Sequence, residues 1–91
     1  MYNLKVTKNF KKSLKRIKKR GYDLKKLNDV IDTLKKGQKL SRKYNDHELT
    51  GNYKGYRDCH IEPDWLLIYK IESDLLMLTL VYTGTHSDLN I

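Results

Sequence analysis

The chain has 91 residues, 38% hydrophobic and 33% charged, with a formal net charge of +8. That length supports one core and a single domain over residues 1–91, and the composition excludes a disordered chain. The lone cysteine, Cys59, excludes an internal disulfide and any cysteine-paired zinc site.

No apolar run approaches the roughly 18 residues that a membrane span needs. The opening MYNLKVTKNF has no signal-peptide character, so the protein is expected in the cytoplasm, away from membranes. The charge is unevenly spread. Residues 1–43 hold 16 of the 19 Lys and Arg but only three of the 11 Asp and Glu. A basic half on so small a domain is an electrostatic footprint for a polyanion. The plainer reading is a solvated basic helix face.

In chain order, Tyr2, Leu4 and Val6 alternate with Asn3 and Lys5, which predicts a short strand. Thr7 can cap a helix from about Lys8 to Arg20, with Phe10, Leu14 and Ile17 on one stripe and Gly21 as its stop. Asp23 can cap a second helix over roughly 24–36, with Leu24, Leu27, Val30, Ile31 and Leu34 on one face and Gly37 at its end. Residues 38–52 are polar and read as an ordered loop anchored by Leu40 and Leu49. Three strands follow, at 53–61, 65–71 and 75–82, joined by the turns Glu62-Pro63-Asp64 and Glu72-Ser73-Asp74. Connections this short join antiparallel neighbours. Residues 83–91 read as a tail. The predicted fold class is α+β: two N-terminal helices on one face of a small, mainly antiparallel four-stranded sheet, in the order β-α-α-β-β-β. The other face stays free for a ligand.

The chemistry-bearing side chains gather in the second half. His47 comes from the long loop, His60 from a strand end, and His86 from the tail. Asp64 follows His60 across the turn. Lys54 and Arg57 add positive charge, and Tyr44, Tyr53, Tyr56 and Tyr69 offer stacking surfaces. This set suits metal-free cleavage of RNA, which carries its own nucleophile, the 2′-hydroxyl. Such a reaction needs a base, an acid and cations around the phosphorane. Histidine performs either proton task near neutral pH.

Each residue also has a bland reading. His47 suits a loop residue bonded to backbone, Asp64 a turn residue, and Cys59 a buried small side chain on the opposite strand face from His60. A zinc site from His47, His60, His86 and Asp64 is possible in ligand type. However, no pair has metal-site spacing, and no metal or other cofactor is expected. On residues alone, a nuclease and a non-catalytic basic protein that binds RNA or a partner remain open.

Three segments narrow the choice: KRGYDLKKL (19–27), DHELTGNYKGYRDCHIEPDWLLIYKI (46–71) and TGTHSDL (83–89). They resemble the YafQ branch of the RelE superfamily, the toxins of bacterial type II toxin–antitoxin modules. The resemblance runs over nearly the whole chain. It implies a small α+β toxin that cleaves mRNA in the ribosomal A site without a metal and so inhibits translation. It also implies a cognate antitoxin protein, through which alone operator DNA would be contacted. The site residues it implies are His47, His60, Asp64 and His86 as catalytic groups; Arg57, Lys54 and Tyr56, read from their charge and stacking surfaces beside these, are expected toward the substrate. A gyrase-directed toxin of the same superfamily is a further alternative, which this His/Asp set disfavours. The sequence departs from the pattern at Asn90, where relatives carry an aromatic. Asn90 cannot stack on a base, a contact worth about 1–3 kcal/mol.

Overall fold

In the computed structural model, residues 1–89 are described. The order is β1 (Asn3–Val6), α1 (Lys8–Lys19), α2 (Leu24–Lys35), β2 (His47–Glu48), β3 (Arg57–Glu62), β4 (Trp65–Glu72), β5 (Met77–Gly84) and α3 (His86–Leu89). Short 3-10 turns lie at Arg42–Tyr44, Gly51–Tyr53 and Ser73–Leu75.

The helices begin and end where local chemistry dictates. Thr7 accepts from the Phe10 N–H at the start of α1, and Asp23 accepts from the Lys25 N–H at the start of α2. Gly21 and Gly37 adopt φ of 77° and 74°, which closes each helix with a left-handed residue. The Tyr22 N–H returns to the Ile17 carbonyl and the Gln38 N–H to Thr33, the paired bonds of a Schellman end.

The sheet has five strands in the order β1-β5-β4-β3-β2. β1 runs parallel to β5, and the other pairs are antiparallel. This corrects the expected four-stranded sheet. The additional strand, β2, lies in the segment read as a loop, and with two residues it is too short to show any alternation. Residues 53–56 do not open the next strand, because Gly51–Tyr53 forms a turn and β3 starts at Arg57. The presumed tail is partly structured, since β5 runs on through Gly84 and His86 opens α3. Asn90, the departure noted above, lies outside the described residues.

One face of the sheet carries the core. α1 lies against β5, and α2 contributes Leu27, Val30 and Leu34 beside Cys59, Ile61, Trp65, Leu67, Tyr69, Leu78 and Leu80. Burying each such side chain contributes roughly 1.5–3 kcal/mol before entropy. On the opposite face Leu66 and Ile68 are fully buried as well, so β4 is apolar without alternation.

A polar knot fastens α1, β4 and β5 together. The Trp65 indole N–H donates to the Thr83 hydroxyl, which donates to the Leu66 carbonyl. The Thr83 N–H donates to Ser13 Oγ, itself buried on α1 and donating to the Phe10 carbonyl. Ser13 is absent from the apolar stripe read from sequence, and Leu14 is only half-buried. Thr83→Val keeps the volume but orphans a buried indole N–H. It is expected to cost about 1–3 kcal/mol in chemical denaturation, with the denaturant slope unchanged.

Candidate active site

The open face of the sheet is defined by strand register. One cross-strand row runs His47, Asp58, Ile68, Tyr82. A neighbouring row runs His60, Leu66, Gly84, and His86 follows two residues later. The three histidines therefore share one face, although they come from an edge strand, an inner strand and a one-turn helix. The ring centroids of His47 and His60 lie 6.2 Å apart, and those of His60 and His86 lie 5.5 Å apart, both edge to face.

Each outer histidine is held through Nδ1. His47 Nδ1 meets the Asn45 carbonyl at 2.7 Å. Asn45 takes a left-handed conformation (φ 46°), which asparagine tolerates better than most residues, and this turns the chain into β2. His86 Nδ1 meets Asp64 Oδ1 at 2.7 Å, and the His86 backbone N–H donates to the same oxygen at 3.1 Å. With Nδ1–H engaged in this way, Nε2 of each ring is left for another partner. The bonds from His86 hold the Asp64 carboxyl below the usual carboxylate range. Asp64 thus serves His86 rather than the nearer residue in sequence, His60. Among the described residues, the His60 ring has no hydrogen-bond partner.

Beneath the histidines lies Asp58, which sequence reasoning missed. It is 3% exposed. Its Oδ2 lies 3.8 Å from His47 Nε2, and Oδ1 has no hydrogen-bond partner among the described residues. Burial pushes its pKa up, while His60, His47 and His86 pull it down. The signal was present in Arg57-Asp58-Cys59-His60: alternation puts Asp58 on the His60 face and buried Cys59 on the other.

The substrate-binding candidates fare less well. Arg57 is a correction. It pairs with Tyr69 on the helix side of the sheet and donates to both oxygens of Asp46, at 3.3 and 3.4 Å. Asp46 also accepts from the Tyr69 hydroxyl. Burial and that bond push the hydroxyl far above its ordinary pKa, so Tyr69 is a structural donor and not a stacking surface. Lys54 is exposed on the turn before β3. Tyr56 lies at the far end of the open face, its ring 5.4 Å from Lys70 Nζ. Tyr44 is partly buried against the core, and Tyr53 is exposed.

His86 is placed by a second feature not read from the sequence. Thr85 and Asp88 form a capping box: Thr85 Oγ1 accepts from the Asp88 N–H, and Asp88 Oδ2 accepts from the Thr85 N–H. Arg20 grips both Asp88 oxygens, at 2.6 and 2.9 Å, and this holds the Asp88 carboxyl well below its usual range.

Fold and site together define a small basic α+β domain with a cluster of three histidines and two carboxylates on its open sheet face. Known proteins agree with that class. The model of the bacterial toxin YafQ of type II toxin–antitoxin systems matches residues 2–91. The mRNA interferase toxin YafQ of Escherichia coli K12 is 43% identical over 81 residues, covering 88% of this chain and 86% of that one. The crystal structure of YafQ from E. coli BL21(DE3) superposes with a TM-score of 0.91 at 37% identity, covering 98% of each chain. A metal-bound toxin from Helicobacter pylori gives a TM-score of 0.91 at 44% identity, covering 98% of this chain and 99% of that one. The E. coli DinJ–YafQ complex gives 0.89 at 38% identity, covering 98% of each chain. The chain belongs to the YafQ family of type II toxin–antitoxin toxins.

Among the described residues, no group of three or more His, Cys, Asp or Glu side chains is disposed to hold one ion. No helix described is long and apolar enough to cross a membrane.

Two predictions follow from the carboxylates. Asp58 has a raised pKa, so the folded state binds its proton more tightly than the unfolded chain, and its ionisation opposes folding as pH rises. Asp58→Asn should therefore melt higher than wild type at pH 7–8, with the two converging below the carboxylate range, while RNA cleavage falls. Asp88 is the reverse case. Its lowered pKa contributes stability above the unfolded carboxylate value of about 3.9, and that stability is lost as pH falls through the folded value. Asp88→Asn is expected to cost about 1 kcal/mol at pH 7 in thermal melts, with the difference from wild type shrinking in acid.

Proposed function

We propose that this protein, as one domain over residues 1–91, is the toxin of a type II toxin–antitoxin module. It is an endoribonuclease that cleaves mRNA on the ribosome and so arrests translation. Its partners are the ribosome with its mRNA and a cognate antitoxin, through which alone operator DNA is contacted. The observation that carries the catalytic reading is the His86–Asp64 bond, which presents an oriented imidazole beside His60.

In this reading His60 and His86 are the proton-transferring pair. One removes the proton from the 2′-hydroxyl as that oxygen attacks phosphorus. The other gives its proton to the departing 5′-oxygen, leaving a 2′,3′-cyclic phosphate and a 5′-hydroxyl. Asp64 orients His86 through Nδ1, in the manner of a carboxylate behind a catalytic imidazole. His47, bonded to the Asn45 carbonyl and facing Asp58, stands beside His60 on the same face. General acid–base help of this kind contributes about 10²–10⁴-fold in rate. The basic surface of α1 and α2 draws the domain to ribosomal RNA, and binding by phosphate neutralisation weakens steeply with salt.

The test maps 5′ ends of transcripts after induction of wild type and His86→Ala. Cleavage at fixed codon positions in wild type, absent in the variant, is expected. No cuts in wild type, with translation still blocked, would turn the reading toward a non-catalytic RNA-binding protein. DNA damage signalling in place of cleavage would point to gyrase.

A further inference from the structure

We propose that Arg16, carried on α1 and held by the Tyr82 hydroxyl, is the guanidinium that binds the reacting phosphate. This rests on the endoribonuclease reading and adds the group that reading lacks. Phosphodiester cleavage builds negative charge on the non-bridging oxygens, and a site of histidines and carboxylates needs a permanent cation against them. Arg57 is turned to the other face and bound to Asp46. Lys70 sits on the open face over the Tyr56 ring, but lies four residues along β4 from the His60–Leu66–Gly84 row, about 13 Å away.

Arg16 reaches the face from behind, and the fold explains how. β1 pairs β5 only as far as Leu80, so the last residues of β5 have no strand beyond them. Arg16 and Arg20 pass that free edge. Arg16 Nη1 donates to the Tyr82 hydroxyl at 3.1 Å. Tyr82 stands in the same cross-strand row as His47 and Asp58, and only two residues, about 7 Å, from the row that holds His60.

The charges favour Arg16 as the free cation. Asp88 is already gripped by Arg20 through two hydrogen bonds, and Arg16 lies 3.5 Å from it without making one. Two guanidiniums and one carboxylate leave one positive charge over, and it falls on the half-exposed Arg16. Among the described residues its only hydrogen bond is to Tyr82, so further N–H groups remain for a phosphate. Gly84 lets the cluster close: a Cβ there would meet Asp88 Oδ2 at 2.9 Å and the Tyr82 ring at 3.0 Å.

The test uses the full chain on ribosomes programmed with an mRNA whose A-site codon wild type cleaves. Single-turnover rate and half-saturating toxin concentration are measured for wild type, Arg16→Ala, Arg16→Lys, Tyr82→Phe and His86→Ala. Each is run with a normal and a phosphorothioate scissile linkage. Arg16→Ala should lose about 10²–10³-fold in rate with little change in half-saturation. Arg16→Lys should recover part of the loss, and Tyr82→Phe should lose less than Arg16→Ala. The wild-type penalty for sulfur should shrink in Arg16→Ala. Wild-type rates in Arg16→Ala, or a loss confined to half-saturation, would overturn the proposal while leaving the endoribonuclease reading intact. If Arg16→Ala folds poorly in thermal melts, a wild-type rate and sulfur penalty in Tyr82→Phe would overturn it instead. Cleavage by His86→Ala at the wild-type rate would remove the underlying reading itself, whatever Arg16→Ala does.

Discussion

The hydrogen bond from the Trp65 indole to Thr83 fixes the register on which the rest of the site hangs. Trp65 directly follows Asp64, and Thr83 lies three residues before His86. Locking the start of β4 to the end of β5 therefore brings Asp64 and His86 together across 22 residues of chain. A slip of one residue in that pairing would send Thr83 to the open face and carry His86 away from its carboxylate. Ser13 extends the lock to α1, so the helix that carries Arg16 and Arg20 is registered against the same strand end. Trp65 itself is wedged against Tyr22 edge to face at 5.0 Å, which ties the helix connection into the same corner.

Electrostatics divide between long and short range. Most lysines of α1 and α2 face water, and the ion pairs they make, such as Lys25–Asp29 and Lys26–Glu62, are exposed and worth little to stability. Their surplus instead makes a field that gathers a polyanion. Within the site the sign reverses locally. Asp58 and Asp64 sit among the histidines, and the bond to Asp64 orients the His86 ring. The acidic second half of the chain supplies these carboxylates.

The helices, their caps and the central strands were legible because each has a strong periodic or capping signal. Thr7, Asp23, Gly21 and Gly37 stand where the bonds require them. The assembly of His47, His60, Asp64 and His86 on one face came from resemblance, since nothing in their spacing shows that they converge. β2 was hidden because a two-residue strand has no pattern, and its identity lies in its partner β3. Arg57 was misread because a charge near histidines in sequence was counted as near them in space. Alternation along β3 puts it on the opposite face from Asp58 and His60, and the same alternation would have found Asp58. Tyr82 and Arg16 could not be joined from sequence, because they meet only where β1 stops short of the end of β5.

The groups of the site rest on elements of unequal firmness, and this bears on how it works. Asp58 stands where β3 is flanked by both β2 and β4, and His60 where β3 pairs β4 alone. His86 stands on a single helical turn that would not persist alone, held by its capping box, by Arg20 and by Asp64. His47 stands on an edge strand of two residues and is steered by a left-handed Asn45. Local opening is easiest at such edges. Among the described residues Asp58 Oδ1 is buried without a hydrogen-bond partner, at a cost to folding. That cost is tolerable because the neighbouring β4 is buried on both faces.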